Sequence, residues 1–317
     1  MDKKDLRIVF MGTPEFAVES LKALVGGVIT AVDKPIGRHR NTLVPSAVKE
    51  YALSQNLPLL QPEKLKDENF INALRALNAD LQIVVAFRML PEIVWAMPEY
   101  GTINLHASLL PQYRGAAPIN WAVINGDTKS GVTTFFLRHD IDTGNIAMQQ
   151  SVEIGPEETA GELYDRLMTT GAEMLLKTVN AVIDGTGQSI PQAEIGTEGE
   201  LRPAPKIFTE TCKIDWGKSA AEIHNFIRGL APHPTAWTEV EHQGTKYTMK
   251  IYGARLVDKQ PSQAAGTFVV AENKKHLYIA AKDGYIDILE LQLSGKKRMA
   301  ANVFLNGFHS PEDLKLL

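Results

Sequence analysis

Two nearly continuous apolar runs constrain the fold most. They are Leu6-Arg7-Ile8-Val9-Phe10-Met11 and Leu81-Gln82-Ile83-Val84-Val85-Ala86-Phe87. A strand with one face in water alternates apolar and polar residues. A strand covered on both faces does not, and such strands belong to parallel sheets sandwiched between helices. The residues after the first run agree. Gly12 gives a tight turn, Thr13 reads as a helix N-cap and Pro14 as the first helical residue. Phe16, Ala17, Leu21, Leu24 and Val25 then recur at helical spacing. Val28 to Val32, Gly101 to Leu105 and Gly131 to Leu137 read as further strands. Ala47 to Leu53 and the positions Phe70, Leu74 and Leu77 read as helices, and Leu163, Leu167, Ala172, Leu175 and Leu176 as a long one. The order is βαβ, which predicts an α/β domain with a mostly parallel sheet.

The texture changes near residue 185. Residues 185–205 are rich in Gly, Pro, Glu and Gln with little periodicity and read as a linker. A helix over Ala220 to Leu230 follows. Then come short strand-like segments at Ala236 to Val240, Tyr247 to Ala254, Gly266 to Val270, Leu277 to Ala281 and Ile286 to Leu293, separated by turn residues. That spacing predicts a small barrel or sandwich. The expected division is 1–185, a linker at 186–205, and 206–317. Charge divides the same way. Of 33 Lys+Arg and 37 Asp+Glu, 15 and 12 fall in 206–317, leaving that part at +3 and the rest at −7. A mildly basic second part points to an anionic partner.

A hydrophobic content of 44% excludes a disordered chain. A single cysteine excludes an intrachain disulfide and a Cys-rich zinc site, and points to a reducing compartment. No apolar run approaches the roughly 20 residues of a membrane span, and Met1 to Phe10 does not read as a signal peptide. A cytoplasmic, monomeric protein is expected.

The densest chemistry lies in Asn104-Leu105-His106-Ala107-Ser108-Leu109-Leu110-Pro111 and the following Tyr113-Arg114-Gly115-Ala116-Ala117-Pro118. Asn104 and His106 are two apart, so on a strand they share a face. They sit at the carboxyl end of a buried strand, where open α/β sheets bind ligands. Another strand is followed by Asp140-Ile141-Asp142-Thr143-Gly144. An amide, an imidazole and a carboxylate converging in one crevice suit a tetrahedral oxyanion formed by attack on a carbonyl. A carboxylate neighbour favours a charged imidazole. Other readings are weaker. A lone His at a strand end is more often structural. Ser108 lacks the Gly-x-Ser-x-Gly elbow of a hydrolase. Asp140 and Asp142 lack a second ligand cluster for a metal. Gly12 is followed by Pro14 and Ala17 where a dinucleotide fingerprint needs glycines, which disfavours a nicotinamide enzyme.

The Asn104 to Pro111 segment with Asp142-Thr143-Gly144 resembles the folate-dependent formyltransferase superfamily. Met11-Gly12-Thr13-Pro14-Glu15-Phe16-Ala17-Val18, Tyr113 to Ile119 and Ile214-Asp215-Trp216 extend the resemblance over nearly the whole chain. It implies a Rossmann-like formyl-transfer domain and a C-terminal β-barrel of the OB type that helps hold tRNA. It implies 10-formyltetrahydrofolate as co-substrate, no metal, and the amino group of methionine on charged initiator tRNA as acceptor, for translation initiation. Asn104, His106 and Asp142 match the catalytic trio. Ser108, Leu109, Leu110 and Pro111 match a segment lining the folate site, and Phe87, Arg88, Met89 and Leu90 a loop around the pterin. Arg38 and Arg40 in the basic loop, and Lys296, Lys297 and Arg298, are the expected tRNA contacts. The loop Asp33 to Asn41 departs from the usual Gly-Arg-Gly-Lys-Lys, and Val25-Gly26-Gly27-Val28 is shorter than usual. Two rivals are a formyltransferase acting on a sugar nucleotide or small amine, and a non-catalytic folate-responsive RNA-binding protein.

Overall fold

In the computed structural model, which describes residues 6–24, 26–36, 42–196, 199–271, 274–308 and 310–317, the two apolar runs lie side by side as parallel strands. Ile8–Gly12 (β1), Gly26–Ile29 (β2), Leu59–Leu60 (β3), Leu81–Val85 (β4), Thr102–His106 (β5), Lys129–Phe136 (β6) and Ile146–Glu153 (β7) form one sheet in the order β3-β2-β1-β4-β5-β6-β7. The first five strands pair in parallel, and β6 runs antiparallel to β5. Every residue of β1 and β4 is buried, as their unbroken apolar runs require. The chain leaves β1 toward β2 and β3, then returns on the other side of β1 as β4. Strand order therefore reverses between β1 and β4, the place where such sheets open a crevice at their carboxyl edge.

Helices Glu15–Lys22 (α1), Ala47–Ser54 (α2) and Glu68–Ala76 (α3) connect these strands. Ser46 and Asp67 cap α2 and α3 through their side chains. The expected cap at Thr13 does not form. Pro14 occupies the N-cap position of α1 without a side-chain bond, and the Phe16 N–H donates to Tyr164 Oη at 2.8 Å instead. Thr13 lies one residue too early to reach the first turn. The strand expected over 28–32 is Gly26–Ile29, and β7 was not foreseen. Part of the basic loop is a hairpin, Lys34–Ile36 with Thr42–Val44. Arg38 and Arg40 lie outside the described residues.

Pro118–Ile124 (α4), the long Ala160–Ile183 (α5) and Ala220–Leu230 (α6) follow. The second sheet comprises Ala236–His242 (β8), Thr245–Val257 (β9), Phe268–Ala271 (β10), His276–Ala280 (β11), Tyr285–Leu293 (β12), Met299–Ala300 (β13) and Lys315–Leu316 (β14). It is antiparallel, in the order β10-β11-β12-β9-β8-β14 with β13 on β12. It curls into a half-barrel, and among the described residues no strand pairing joins its two ends. Its inner residues Met249, Ile251, Leu277, Ile288 and Leu291 pack with Ile223, Ile227 and Leu230 of α6. Inward and outward residues alternate along β8, the mark of a sheet with one covered face.

The chain divides into two compact units, neither of them contiguous. One holds the residues up to Gly115, Ser130–Val152 and Tyr164–Pro203. The other holds Ala116–Lys129, Glu153–Leu163 and Ala204–Leu317. Two segments inside 1–185 thus cluster with the second unit. The reason is close packing of α4 on α6. A Cβ at Gly229 would lie 2.5 Å from Ile124 Cγ1 and 2.8 Å from its backbone nitrogen, so only glycine permits the approach. Asn120 Nδ2 donates to the Gly229 carbonyl at 2.8 Å, and Arg228 Nη1 to the carbonyls of Gly155 and Glu158.

Candidate active site

The carboxyl ends of β1, β4 and β5 are adjacent. Gly12 pairs with Val85 and Val85 with Leu105, so His106 emerges one residue beyond the end of β4. Asn104 and His106 project from the same face of β5. His106 is buried and Asn104 half-buried. The sequence placed Asp142 just past a neighbouring strand end. In the structure β6 runs the other way, and its last residue, Phe136, is level with Ile103. The loop 137–145 doubles back and brings Asp142 Oδ2 to 3.8 Å from His106 Nδ1. Gly144 allows this turn. A Cβ there would sit 1.6 Å from the Phe136 carbonyl oxygen.

Backbone groups hold the polar atoms of two members of the trio, His106 and Asp142. His106 Nε2 lies 2.8 Å from the Tyr113 carbonyl oxygen, an acceptor only, so Nε2 carries a proton and donates. The Gly115 N–H donates to Asp142 Oδ2 at 3.0 Å. Tyr113 and Gly115 therefore clasp the two members of the trio from one short segment. No side-chain hydrogen bond engages the Asn104 amide among the described residues. Strain gathers here too. Ala86, Tyr113 and Asp142 have φ of +48°, +58° and +54°, a region costly for residues with a Cβ and tolerated where surrounding contacts enforce it. For Tyr113 those contacts are its N–H on the Arg202 carbonyl at 2.8 Å and the Arg202 guanidinium 5.0 Å from its ring centre.

The family model of formyl transferase matches residues 13–179, and that of the formyl transferase C-terminal domain matches residues 206–309. A methionyl-tRNA formyltransferase of Parabacteroides distasonis is 56% identical over 316 residues, 97% of each chain. One of Phocaeicola vulgatus is 57% identical over 324 residues, with both chains fully covered. The chain belongs to the formyl transferase family. Among solved structures, a sugar 3N-formyl transferase crystallised with dTDP and 5-N-formyl-THF has the same fold, with a TM-score of 0.64 at 21% identity over 92% of this chain and 99% of that one. HypX from Aquifex aeolicus, in complex with tetrahydrofolic acid, gives 0.63 at 15% identity, over 96% of this chain and 48% of that one.

In this formyltransferase the remaining predicted residues fall into three groups. Ser108 is fully buried, and its hydroxyl donates to the Gln112 carbonyl at 2.6 Å, so it offers no nucleophile. Leu110 and Pro111 are buried and Leu109 half-buried. In the loop after β4, Leu90 is core, Phe87 half-buried and Met89 75% exposed. Arg88 is tied to the carbonyls of Pro62 and Glu63. In the second unit Lys296 and Lys297 are exposed. Arg298 grips both oxygens of Glu290 and lies 4.1 Å from the Tyr252 ring centre. Among the described residues no group of three or more His, Cys, Asp or Glu side chains is placed to hold a metal ion.

Sequence reasoning missed the segment that closes the site. Residues 185–205 read as a linker, yet Ile190, Gln192 and Arg202 bond to the segments that carry the candidate trio. Arg202 bonds Tyr113 and Gln112 through its backbone. Ile190 bridges Ile146, and the buried Gln192 follows two residues later. Gln192 Nε2 donates to the carbonyls of Asp142 and Gly144 at 2.7 and 2.9 Å, and its Oε1 accepts from Arg114 Nε and Nη2 at 3.1 and 2.6 Å. Low periodicity hid this, because a segment bonded through isolated side chains and backbone leaves no repeating pattern.

Proposed function

We propose that this protein transfers the formyl group of 10-formyltetrahydrofolate to the amino group of methionine on charged initiator tRNA, for translation initiation. The observation that carries the reading is the convergence of Asn104, His106 and Asp142 beside the switch point of the sheet, in a chain more than half identical over its full length to methionyl-tRNA formyltransferases. The folate fits the residues present. Phe87 and Met89 offer apolar surface at the carboxyl end of β4, the chemistry a flat pterin ring covers. The bound folate supplies the formyl carbon.

Asn104 Nδ2, not engaged by another side chain or backbone group among the described residues, donates to the formyl oxygen as negative charge develops there. His106 Nε2–H lies on the Tyr113 carbonyl and reaches the same oxygen by exchanging that acceptor. Such bonds commonly tighten only once substrate is in place. Asp142 faces the other ring nitrogen and balances the charge of a doubly protonated imidazole. As the methionyl nitrogen forms its bond to the formyl carbon and the bond to folate N10 breaks, one proton leaves the amine and one arrives on N10. His106 and Asp142 are the titratable pair placed to carry it.

The acceptor is gripped through phosphate contacts from the basic part, 206–317, with Lys296 and Lys297, and from the loop bearing Arg38 and Arg40. The chemistry falls to residues of 1–185 and the RNA grip to 206–317, while Gln192 and Arg202 of the intervening stretch bond to the segments that carry the trio. The enzyme acts as a cytoplasmic monomer; no helix among the described residues is long and apolar enough to cross a membrane. The test is transfer of radiolabelled formate from 10-formyltetrahydrofolate to charged initiator tRNA, with a free amine and an amino-sugar nucleotide as competing acceptors. Label in the tRNA, at a rate falling steeply with salt, is expected. Replacing Lys296 and Lys297 together should flatten that salt dependence, by about one unit of slope per lost phosphate contact. Label in the sugar or the amine instead overturns the reading.

A further inference from the structure

Gln192 lies outside the catalytic trio, yet one buried amide joins the two segments that hold it. On one side stands the loop of Asp142. Its residue Asp142 is at φ +54°, a conformation that persists only where neighbours enforce it, and the two donors of Gln192 Nε2 go to the carbonyls of Asp142 and Gly144. On the other side is Arg114, whose forked guanidinium donates twice to Gln192 Oε1. Arg114 is flanked by Tyr113, whose carbonyl accepts the His106 Nε2–H hydrogen bond, and by Gly115, whose N–H donates to the Asp142 carboxylate. The bonds close a ring: His106, Tyr113, Arg114, Gln192, the Asp142 loop and Asp142 facing His106 again. Only one orientation of the amide serves both sides, since carbonyls accept and a guanidinium donates. A hydrophobic residue would leave two carbonyls and a guanidinium unbonded. A glutamate would set acceptors against acceptors.

We infer that Gln192 is a positioning residue for the formyl-transfer step, holding the Asp142 loop and the Tyr113–Gly115 segment at the spacing that sets Asp142 against His106. The inference rests on the proposed reaction for its kinetic readout alone. Its structural readout stands apart from any substrate.

The variants are Gln192→Leu and the near-isosteric Gln192→Glu. Amide hydrogen exchange by NMR follows the Gly115 N–H, which the Asp142 carboxylate accepts, against the amides of β4 as internal control. Protection at Gly115 should fall about tenfold or more while β4 keeps its protection, because a local opening is released without global unfolding. The single-turnover formyl-transfer rate should fall about tenfold to a hundredfold, the scale of a misplaced reacting group, while binding of 5-formyltetrahydrofolate stays within about twofold. Glu should impair the enzyme as Leu does, despite keeping the size of the side chain. Unchanged Gly115 protection in both variants overturns the inference, as does a loss of protection shared equally by β4, which marks a merely structural residue. If the wild-type enzyme formylates no tRNA, the functional reading fails and the exchange measurement still decides this one.

Discussion

Among the described residues there are two His–Asp pairs, one in each unit. The tighter one is not at the site. In the second sheet, His276 Nδ1 lies 2.9 Å from Asp287 Oδ2, and Arg255 Nη2 approaches the same oxygen at 2.8 Å. All three stand on paired strands, Arg255 directly opposite Asp287 in the β9–β12 ladder. Asp287 is buried to 1% exposure, and regular cross-strand pairing alone satisfies the geometry. In the first unit His106 and Asp142 are 3.8 Å apart, too far for a hydrogen bond. They come from a strand end and a loop, and the backbone of Tyr113 and Gly115 holds one each. The contrast teaches that proximity does not mark a catalytic pair. What sets the proposed pair apart is its placement at the carboxyl edge beside the switch point, with polar capacity not consumed by a ladder. A third pair makes the same point from the other side. His224 lies 3.2 Å from Glu157, yet burial holds its pKa below the ordinary range despite that carboxylate.

Substitution separates the pairs. His106→Ala and Asn104→Ala should each lower the single-turnover rate about 100-fold or more, the scale of one lost oxyanion donor, while folate binding persists. His276→Ala should leave that rate within about twofold of wild type, since no reacting atom meets it in the proposed reaction. Equal losses from His106→Ala and His276→Ala would erase the distinction. Asp142→Asn should cost less, about tenfold to a hundredfold, because it acts by orienting His106 rather than by touching the reacting carbon; a pH series of single-turnover rates measures it. Asp287→Ala should do the reverse. It should leave the rate alone and destabilise the fold by about 1–3 kcal/mol, since it strips a buried acceptor from Arg255 and His276. Urea denaturation followed by tryptophan fluorescence reads the difference.

The smallest effect concerns His224. Its folded pKa lies below the unfolded value, with burial the first cause. The unfolded chain therefore binds the proton more readily. Stability is complete above the unfolded value, near about 6.5, and declines as pH falls below it. The neutral variant His224→Gln should show a shallower loss between about pH 7 and pH 5 in denaturation midpoints. An unchanged slope would show that this histidine is not held neutral.

Much of the architecture was readable without coordinates. Unbroken apolar runs at residues 6–11 and 81–87 required strands buried on both faces, and these are β1 and β4 at the centre of the sheet. Helical periodicity located α3 and α6, and the turn-punctuated segments after residue 230 located the strands of the half-barrel. The spacing of Asn104 and His106 placed both on one face of β5. Local composition determines these things because burial on one face, or on two, imposes a period on the chain itself.

The direction of β6, the doubling back of the 137–145 loop and the placement of α4 with α6 had no such signature. Each depends on which distant residue leaves room: Gly144 under the Phe136 carbonyl, Gly229 against Ile124. The role of Gln192 and Arg202 was least visible. Their bonds run from Gln192 to Asp142 and Arg114 and from Arg202 to Tyr113, across 50, 78 and 89 residues of chain. The sequence by itself determined where apolar surface must be buried, and hence the layers, the central strands and the strand carrying Asn104 and His106. Only the tertiary structure decided which carboxylate meets the imidazole and what holds it there, because hydrogen bonds between single residues far apart in the chain leave no period to read.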